Sequence, residues 1–305
     1  MNAKQKILIL GATGMLGHVL YKKLSSDIRY EVYGAVRKLA GLKYNFSDTE
    51  MQFLIPDIDA DNFQSIIIAF QISKPDIVIN CIGIIKHLPS AKNHLTAINM
   101  NSLFPHKLAS LCEVANARLI HISTDCVFDG KKGDYTETDL SNAEDIYGKT
   151  KFLGEVDYPH AITLRTSIIG HELQSNIALV DWFLSQEQKV RGYSKAIYTG
   201  LTTYEIANVI MNHVIPNKEL QGLFQVASDK ISKYDLLKVF ASTYNKSIEI
   251  EEFADFVLDR SLCADKFKAA TGYVAPAWPK MISDMYSHYR NWDCYRDKFD
   301  GKYRV

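Results

Sequence analysis

Short, almost wholly apolar runs alternate with longer stretches at helical spacing through the first half of the chain. The runs are KILIL, EVYGAV, FLIPDI, DIVINCIG, RLIHIST and AITLRTS; helical spacing occupies residues 15–24, 62–72, 94–116 and 145–156. Runs without polar alternation, such as DIVIN, suit strands covered on both faces, and parallel strands need helical crossovers. The rhythm predicts an α/β fold with a doubly wound parallel sheet of the Rossmann type. Beyond residue 168 the beat becomes irregular, with helices expected in NIALVDWFLS and TTYEIANVIMNHV, a strand in GLFQVAS, and a tail carrying VAPAWPK. The expected division is a sheet domain over 1–167 plus about 201–228, and a smaller lobe over about 168–200 plus 229–305, packed as one body.

Composition narrows the picture mainly by exclusion. At 305 residues and 47% hydrophobic content the chain can bury a substantial core. Lys plus Arg and Asp plus Glu stand at 35 each, so no charge excess points to nucleic acid or an anionic membrane, and any ligand phosphate must be met locally. The five cysteines are odd in number, scattered and without a C-x-x-C pair, which predicts neither a disulfide framework nor a metal site. The expected setting is a reducing cytoplasm. No apolar run approaches the length of a membrane span, and KILIL runs directly into glycine without a secretory core.

The stretch KILILGATGMLGHVLYKKL reads as strand, glycine turn and helix, with Leu16, Val19, Leu20 and Leu24 on one helical face. Gly11 permits a tight turn, Gly14 lets the main chain approach a pyrophosphate, Gly17 allows close helix packing, and the free N–H groups at the helix start favour an anion. Gly11, Thr13, Gly14, Met15 and Leu16 are therefore candidate dinucleotide contacts. At the end of the second strand, where an acidic residue would hold a ribose diol, stand Arg37 and Lys38. A guanidinium suits a 2′-phosphate, so NADP(H) is expected ahead of NAD(H). Asp57, followed by Ile58, is placed to meet an adenine, although aspartate after a strand also serves turns.

RLIHISTDCVFDG puts Ser123, Thr124 and Asp125 at a strand's C-terminal end, where open α/β sheets present their ligands. Tyr147 and Lys151 follow in YGKTKFLGE, four apart and on one helical face. A second such pair, Tyr234 and Lys238, occurs in YDLLK without a hydroxyl-bearing strand end before it, and reads as a solvated helix. Together Thr124, Tyr147 and Lys151 meet the needs of carbonyl reduction. Charge develops on oxygen as hydride arrives, and the oxygen must be bonded and then protonated. Tyr147 is the expected proton donor, Thr124 the expected oxygen contact, and Lys151 the cation that lowers the phenol's pKa.

On these residues the chain resembles the extended short-chain dehydrogenase/reductases, and within them enzymes of the dTDP-4-dehydrorhamnose reductase type. The matching pieces are GATGMLG, VINCIG, STDCVFDG, ETD, YGKTKFLGE, LRTS and RSLCADKF followed by PAWP, spread over nearly the whole length. The resemblance implies that Thr124, Tyr147 and Lys151 are catalytic and that Asn80, Cys81, Ile82 and Gly83 lie along the cofactor. It further implies that Asn99 braces the lysine and that Thr166, in LRTS, closes over the nicotinamide. Cys81 and Ile82 replace the family's usual small residues. Relatives that dehydrate nucleotide sugars carry Asp-Glu after the threonine; here Asp125 precedes Cys126, which favours simple reduction and leaves epimerisation open. The smaller lobe is expected to fold over a nucleoside diphosphate sugar, with Lys86, His87, Thr124, Phe128, His171, Trp182 and Tyr198 as candidate contacts. For Trp182 a place in the core is the stronger reading. The alternatives are an epimerase or dehydrogenase on the same substrates, and a nucleotide-binding regulatory subunit without turnover. A homodimer is the assembly considered.

Overall fold

The structure, a computed structural model, describes residues 3–84, 93–173 and 175–292. Strands β1 (Gln5–Leu10), β2 (Tyr30–Ala35), β3 (Leu54–Ile55), β4 (Ile77–Asn80), β5 (Arg118–Thr124) and β6 (Ala161–Thr166) join Gly222–Gln225 in one seven-stranded sheet. Its order is Gly222–Gln225, β6, β5, β4, β1, β2, β3, and every pairing is parallel. Both faces are covered, as unbroken apolar runs require. Ile7, Ile9, Ile77, Ile79 and Ile120 enter one core, while Leu8, Leu10, Val78 and Leu119 enter the other. Strand order reverses between β1 and β4, and a crevice opens at such a switch point beyond the strands' carboxyl ends.

Helix α1 spans Gly17–Ser25 and buries Val19, Leu20 and Leu24, the face expected from spacing. Two elements depart from the reading of FLIPDI and of 94–116. β3 is only two residues long, because Pro56 follows and has no N–H for a ladder. The expected helix over 94–116 is three segments, with a wide π-type turn at Ile98–Leu103 between His94–Ala97 and Phe104–Val114. The extra residue in that turn re-aims every side chain after it. NIALVDWFLS becomes helical only from Leu179.

The C-terminal helix Trp278–Arg290 buries Trp278, Met281, Ile282, Met285 and Tyr289, the stripe of an amphipathic helix. It packs on helices Lys233–Thr243 and Thr203–Val209. Its Tyr289 hydroxyl lies 3.4 Å from Nε2 of fully buried His18, whose Nδ1 lies 2.7 Å from the Gly14 carbonyl oxygen. A ring nitrogen that close to a carbonyl must carry the proton, so the imidazole donates to the glycine loop. The helix Trp278–Arg290 thereby braces the turn after β1.

Candidate active site

The site grows from the carboxyl ends of β1, β4, β5 and β6. After β1 the chain turns at Gly11, whose φ of +77° lies in the left-handed region that glycine tolerates. A Cβ on Gly17 would overlap the Gly11 carbonyl oxygen, so only glycine lets α1 start against the turn. Gly14 is exposed at the tip, Thr13 and Met15 are half-buried, and Leu16 is buried. Across the crevice, a Cβ on Gly11 would sit 3.2 Å from Ile82 Cγ1. The glycine turn and the β4 exit thus face each other closely, and Cys81 and Ile82 form an apolar wall. These features form a cradle that a dinucleotide fits. Arg37 and Lys38 follow β2 and are exposed, and neither forms an ion pair among the described residues. Asp57 is exposed with φ +60°, a turn geometry, while Ile58 is buried and its N–H donates to the Val36 carbonyl at 3.1 Å.

Thr124 ends β5, with Thr166 as its partner on β6. The Thr124 hydroxyl donates to Asp125 Oδ1 at 3.1 Å and accepts from the Cys126 N–H at 3.2 Å. Burial raises the Asp125 carboxyl pKa, with Arg260 and the Thr124 hydrogen bond opposing it. Arg260 itself donates from Nε to the Phe128 carbonyl at 2.8 Å, and its Nη1 lies 3.6 Å from Cys126 Sγ.

The helix Ile146–Leu153 begins where Asp145 caps it, its carboxylate accepting from the Gly148 N–H at 2.8 Å. Glycine in a helical turn costs about 1 kcal/mol relative to alanine, yet here it has a use. A Cβ on Gly148 would overlap the Cys126 carbonyl oxygen and Ala143. Its absence lets the first turn close on the end of β5, which brings Tyr147 up to Thr124. One turn on, Lys151 is 6% exposed and donates to the Ile122 carbonyl at 2.8 Å. Thr124, Tyr147 and Lys151 therefore converge at one mouth of the sheet.

Their electrostatics correct one expectation. Burial, then the neighbouring Cys126, raises the Tyr147 pKa above its ordinary value, where a lowered one was expected. Lys151 answers to its own burial, which pulls its ammonium down to about 8, against Glu155 and Cys81. The cation is bound to a strand carbonyl, not to the phenol.

Asn99 does not brace the lysine: its side chain donates to Asp61 Oδ1 at 2.9 Å. Asn101 takes the inward place. It is 1% exposed, accepts from the Ile84 N–H at 3.0 Å and donates to Thr150 Oγ1 at 3.3 Å. A Cβ on Gly83 would lie 3.6 Å from Asn101 Oδ1 and 3.9 Å from Lys151 Nζ, which puts all three together. The wide turn at Ile98–Leu103 is the cause, and regular helical spacing does not anticipate it.

Three candidate substrate contacts are committed elsewhere. Phe128 is fully buried and stacks on Tyr135 with centroids 4.0 Å apart, while Arg165 lies 5.0 Å over its ring. His171 is 1% exposed, with Nδ1 2.6 Å from Asp181 Oδ1 and Nε2 2.8 Å from the Tyr244 hydroxyl. Trp182 is half-buried against the main core. Tyr198 is different: it is 8% exposed and its hydroxyl lies toward Ser167, Asp125 and Cys126. Lys86 and His87 fall outside the described residues. Arg260, in the quoted RSLCADKF, reaches the site without having been singled out; its motif was the available signal. Among the described residues no group of His, Cys, Asp and Glu could hold a metal, and no helix is long and apolar enough to cross a membrane.

Residues 5–291 match the family described as RmlD substrate binding domain. The chain is 28% identical over 258 residues to methionine adenosyltransferase 2 subunit beta of Danio rerio, covering 79% of this chain and 74% of that protein. It is 32% identical over 213 residues to dTDP-4-dehydrorhamnose reductase of Aggregatibacter actinomycetemcomitans, covering 68% and 66%. Among solved structures, a dTDP-4-dehydrorhamnose reductase from Clostridium acetobutylicum superposes with TM-score 0.76 at 23% identity, over 94% of this chain and 100% of that one. A dTDP-4-dehydrorhamnose reductase from Bacillus anthracis in complex with NADP also gives TM-score 0.76, at 18% identity, over 94% and 100%. At such identities the likeness is one of fold.

Proposed function

Because the chain belongs to the RmlD substrate binding domain family, of the extended short-chain dehydrogenase/reductase type, we propose that it reduces a keto group on a nucleoside diphosphate-linked deoxysugar with NADP(H). The observation that carries this reading is the convergence of Thr124, Tyr147 and Lys151 at the end of β5, beside the glycine cradle. Gly11, Thr13, Gly14, Met15 and Leu16 would hold the pyrophosphate side of NADPH, Arg37 its 2′-phosphate, Asp57 and Ile58 its adenine side, and Cys81, Ile82, Gly83 and Thr166 would line the path to the nicotinamide, from which a hydride would come.

Thr124 bonds the substrate's carbonyl oxygen and Tyr147 gives it a proton as negative charge develops there. A half-buried phenol whose pKa is raised by desolvation stays protonated through neutral and mildly alkaline pH, as a donor must. Lys151 places a positive charge beside this exchange, and the Ile122 carbonyl fixes its position. Tyr198 and Arg260 face the sugar from the lobe formed by about 168–200 plus 229–305. The setting that fits is a cytoplasmic step in making a surface polysaccharide or glycolipid.

A panel of nucleoside diphosphate 4-keto-deoxysugars, assayed by NADPH oxidation, tests the reading. Stoichiometric oxidation supports reduction, whereas sugar conversion without net oxidation identifies an epimerase. A second reading has one observation behind it, the similarity to a protein named as a subunit of methionine adenosyltransferase 2. On that reading the chain keeps the nucleotide cradle, turns nothing over and serves another enzyme; NADPH binding without oxidation on any keto sugar would favour it.

A further inference from the structure

Just past the end of the tyrosine helix, Glu155 is held by more bonds than the packing of a loop calls for. Its Oε1 accepts from the Ser123 hydroxyl at 2.6 Å and from Arg165 Nε at 2.9 Å, and its Oε2 accepts from Arg165 Nη2 at 2.6 Å. The Arg165 and Glu155 side chains are 2% and 8% exposed. Ser123 directly follows Ile122, whose carbonyl receives the Lys151 ammonium at 2.8 Å. Carboxylate and ammonium are thus tied to consecutive residues of β5.

We propose that Glu155 is a positioning residue, the counter-ion that keeps Lys151 charged inside the protein, locked in place by Ser123 and Arg165. The proposal rests on the reading of Lys151 as a working cation in the site. Of the groups facing Lys151 among the described residues, Glu155 opposes the effect of burial most strongly and Cys81 less. From the β4 exit, Cys81 is pushed up to about 12 by burial and is a neutral thiol. From β5, His121 is held well below its ordinary value by burial and is a neutral imidazole. On the helix itself, Tyr147 is a neutral phenol. Glu155 acts on Lys151 in the direction that favours its charged form, against burial. A buried bidentate pair with arginine keeps the carboxylate from swinging out to solvent, where its field would be screened.

The test follows the Lys151 titration itself, by NMR of the full chain carrying lysine labelled with carbon-13 at the ε position. The Lys151 signal is assigned by its loss in Lys151→Arg. In Glu155→Gln the midpoint falls by about one pH unit or more, the size expected for removing a close opposite charge. Glu155→Asp, which keeps the charge, stays nearer the parent value. Should Glu155→Gln fail to fold with Arg165 left unpaired, the comparison is made on an Arg165→Met background, where Glu155→Gln/Arg165→Met still has its midpoint below that of Arg165→Met alone. A purely structural role would reduce stability and leave the midpoint where it is; an unmoved midpoint in the folded Gln or double variant overturns the proposal. If the midpoint moves but the parent protein oxidises NADPH with no keto sugar, the reductase reading fails and the counter-ion stands.

Discussion

Two helices of this chain carry a tyrosine four residues before a lysine, and they have come to opposite fates. Lys151 is 6% exposed and bonded to a strand carbonyl, and its tyrosine lies beside Thr124. The Lys238 side chain is 54% exposed, pairs with Asp235 at 3.3 Å and lies 4.8 Å from the Tyr234 ring. Spacing sets a shared face in both cases. What separates them is the surroundings: one pair abuts the end of a parallel sheet through Gly148, the other points toward water. An exposed ion pair of the second kind contributes little, about 0–1 kcal/mol.

The comparison breaks most readily at the phenols. Tyr147→Phe is expected to lower kcat for keto-sugar reduction by about 10²–10⁴-fold, the range for losing a positioned proton donor, while Tyr234→Phe leaves it unchanged. Gly148→Ala should also reduce kcat strongly, because its methyl group would overlap the Cys126 carbonyl and push Tyr147 from Thr124. No comparable loss is expected from an exposed substitution on the second helix. At the cofactor end, Arg37→Ala should raise the KM for NADPH by about tenfold or more and leave that for NADH unaltered, since a charge-assisted hydrogen bond is worth about 1.5–3 kcal/mol.

The pH profile sharpens the contrast on a smaller scale. Lys151 sits at about 8, below the ordinary 10.5, because burial disfavours its charge. Its proton is therefore lost as pH rises through 8, and kcat should decline there; the profile of Lys238→Met should match the parent's. The sign for stability is opposite. Burying a charged Lys151 costs folding free energy in full below pH 8, and that cost is relieved as pH rises toward 10.5. Denaturation midpoints of parent and Lys151→Met across that range check it. Smallest of all, Lys238→Ala should change stability by no more than about 0.5 kcal/mol.

Much of the sheet was legible in the chain because the centres of buried parallel strands must be apolar on both faces, as Ile77, Val78 and Ile79 and then Leu119 and Ile120 are. The glycine turn was legible for a related reason, since its geometry tolerates few other residues. Places that depend on register were less so. Asn101 replaces Asn99 beside Lys151 because one wide turn interrupts the helix, and no spacing rule announces such a turn. Phe128 and His171 read as candidate contacts because aromatic and imidazole groups serve both cores and ligands. Their stacking and hydrogen bonds in three dimensions assign them to the interior. The Glu155–Arg165 pair was hidden for another reason: its partners lie on different elements, ten residues apart.

The most direct test of carbonyl reduction at this mouth is to supply NADPH deuterated at its transferable position together with a nucleoside diphosphate 4-keto-deoxysugar, and to examine the sugar by NMR. Deuterium on the former keto carbon, with that incorporation lost in Tyr147→Phe and kept in Tyr234→Phe, is the result the account predicts. Deuterium that stays on the cofactor while the sugar exchanges hydrogen with solvent, or incorporation that survives in Tyr147→Phe, would contradict it.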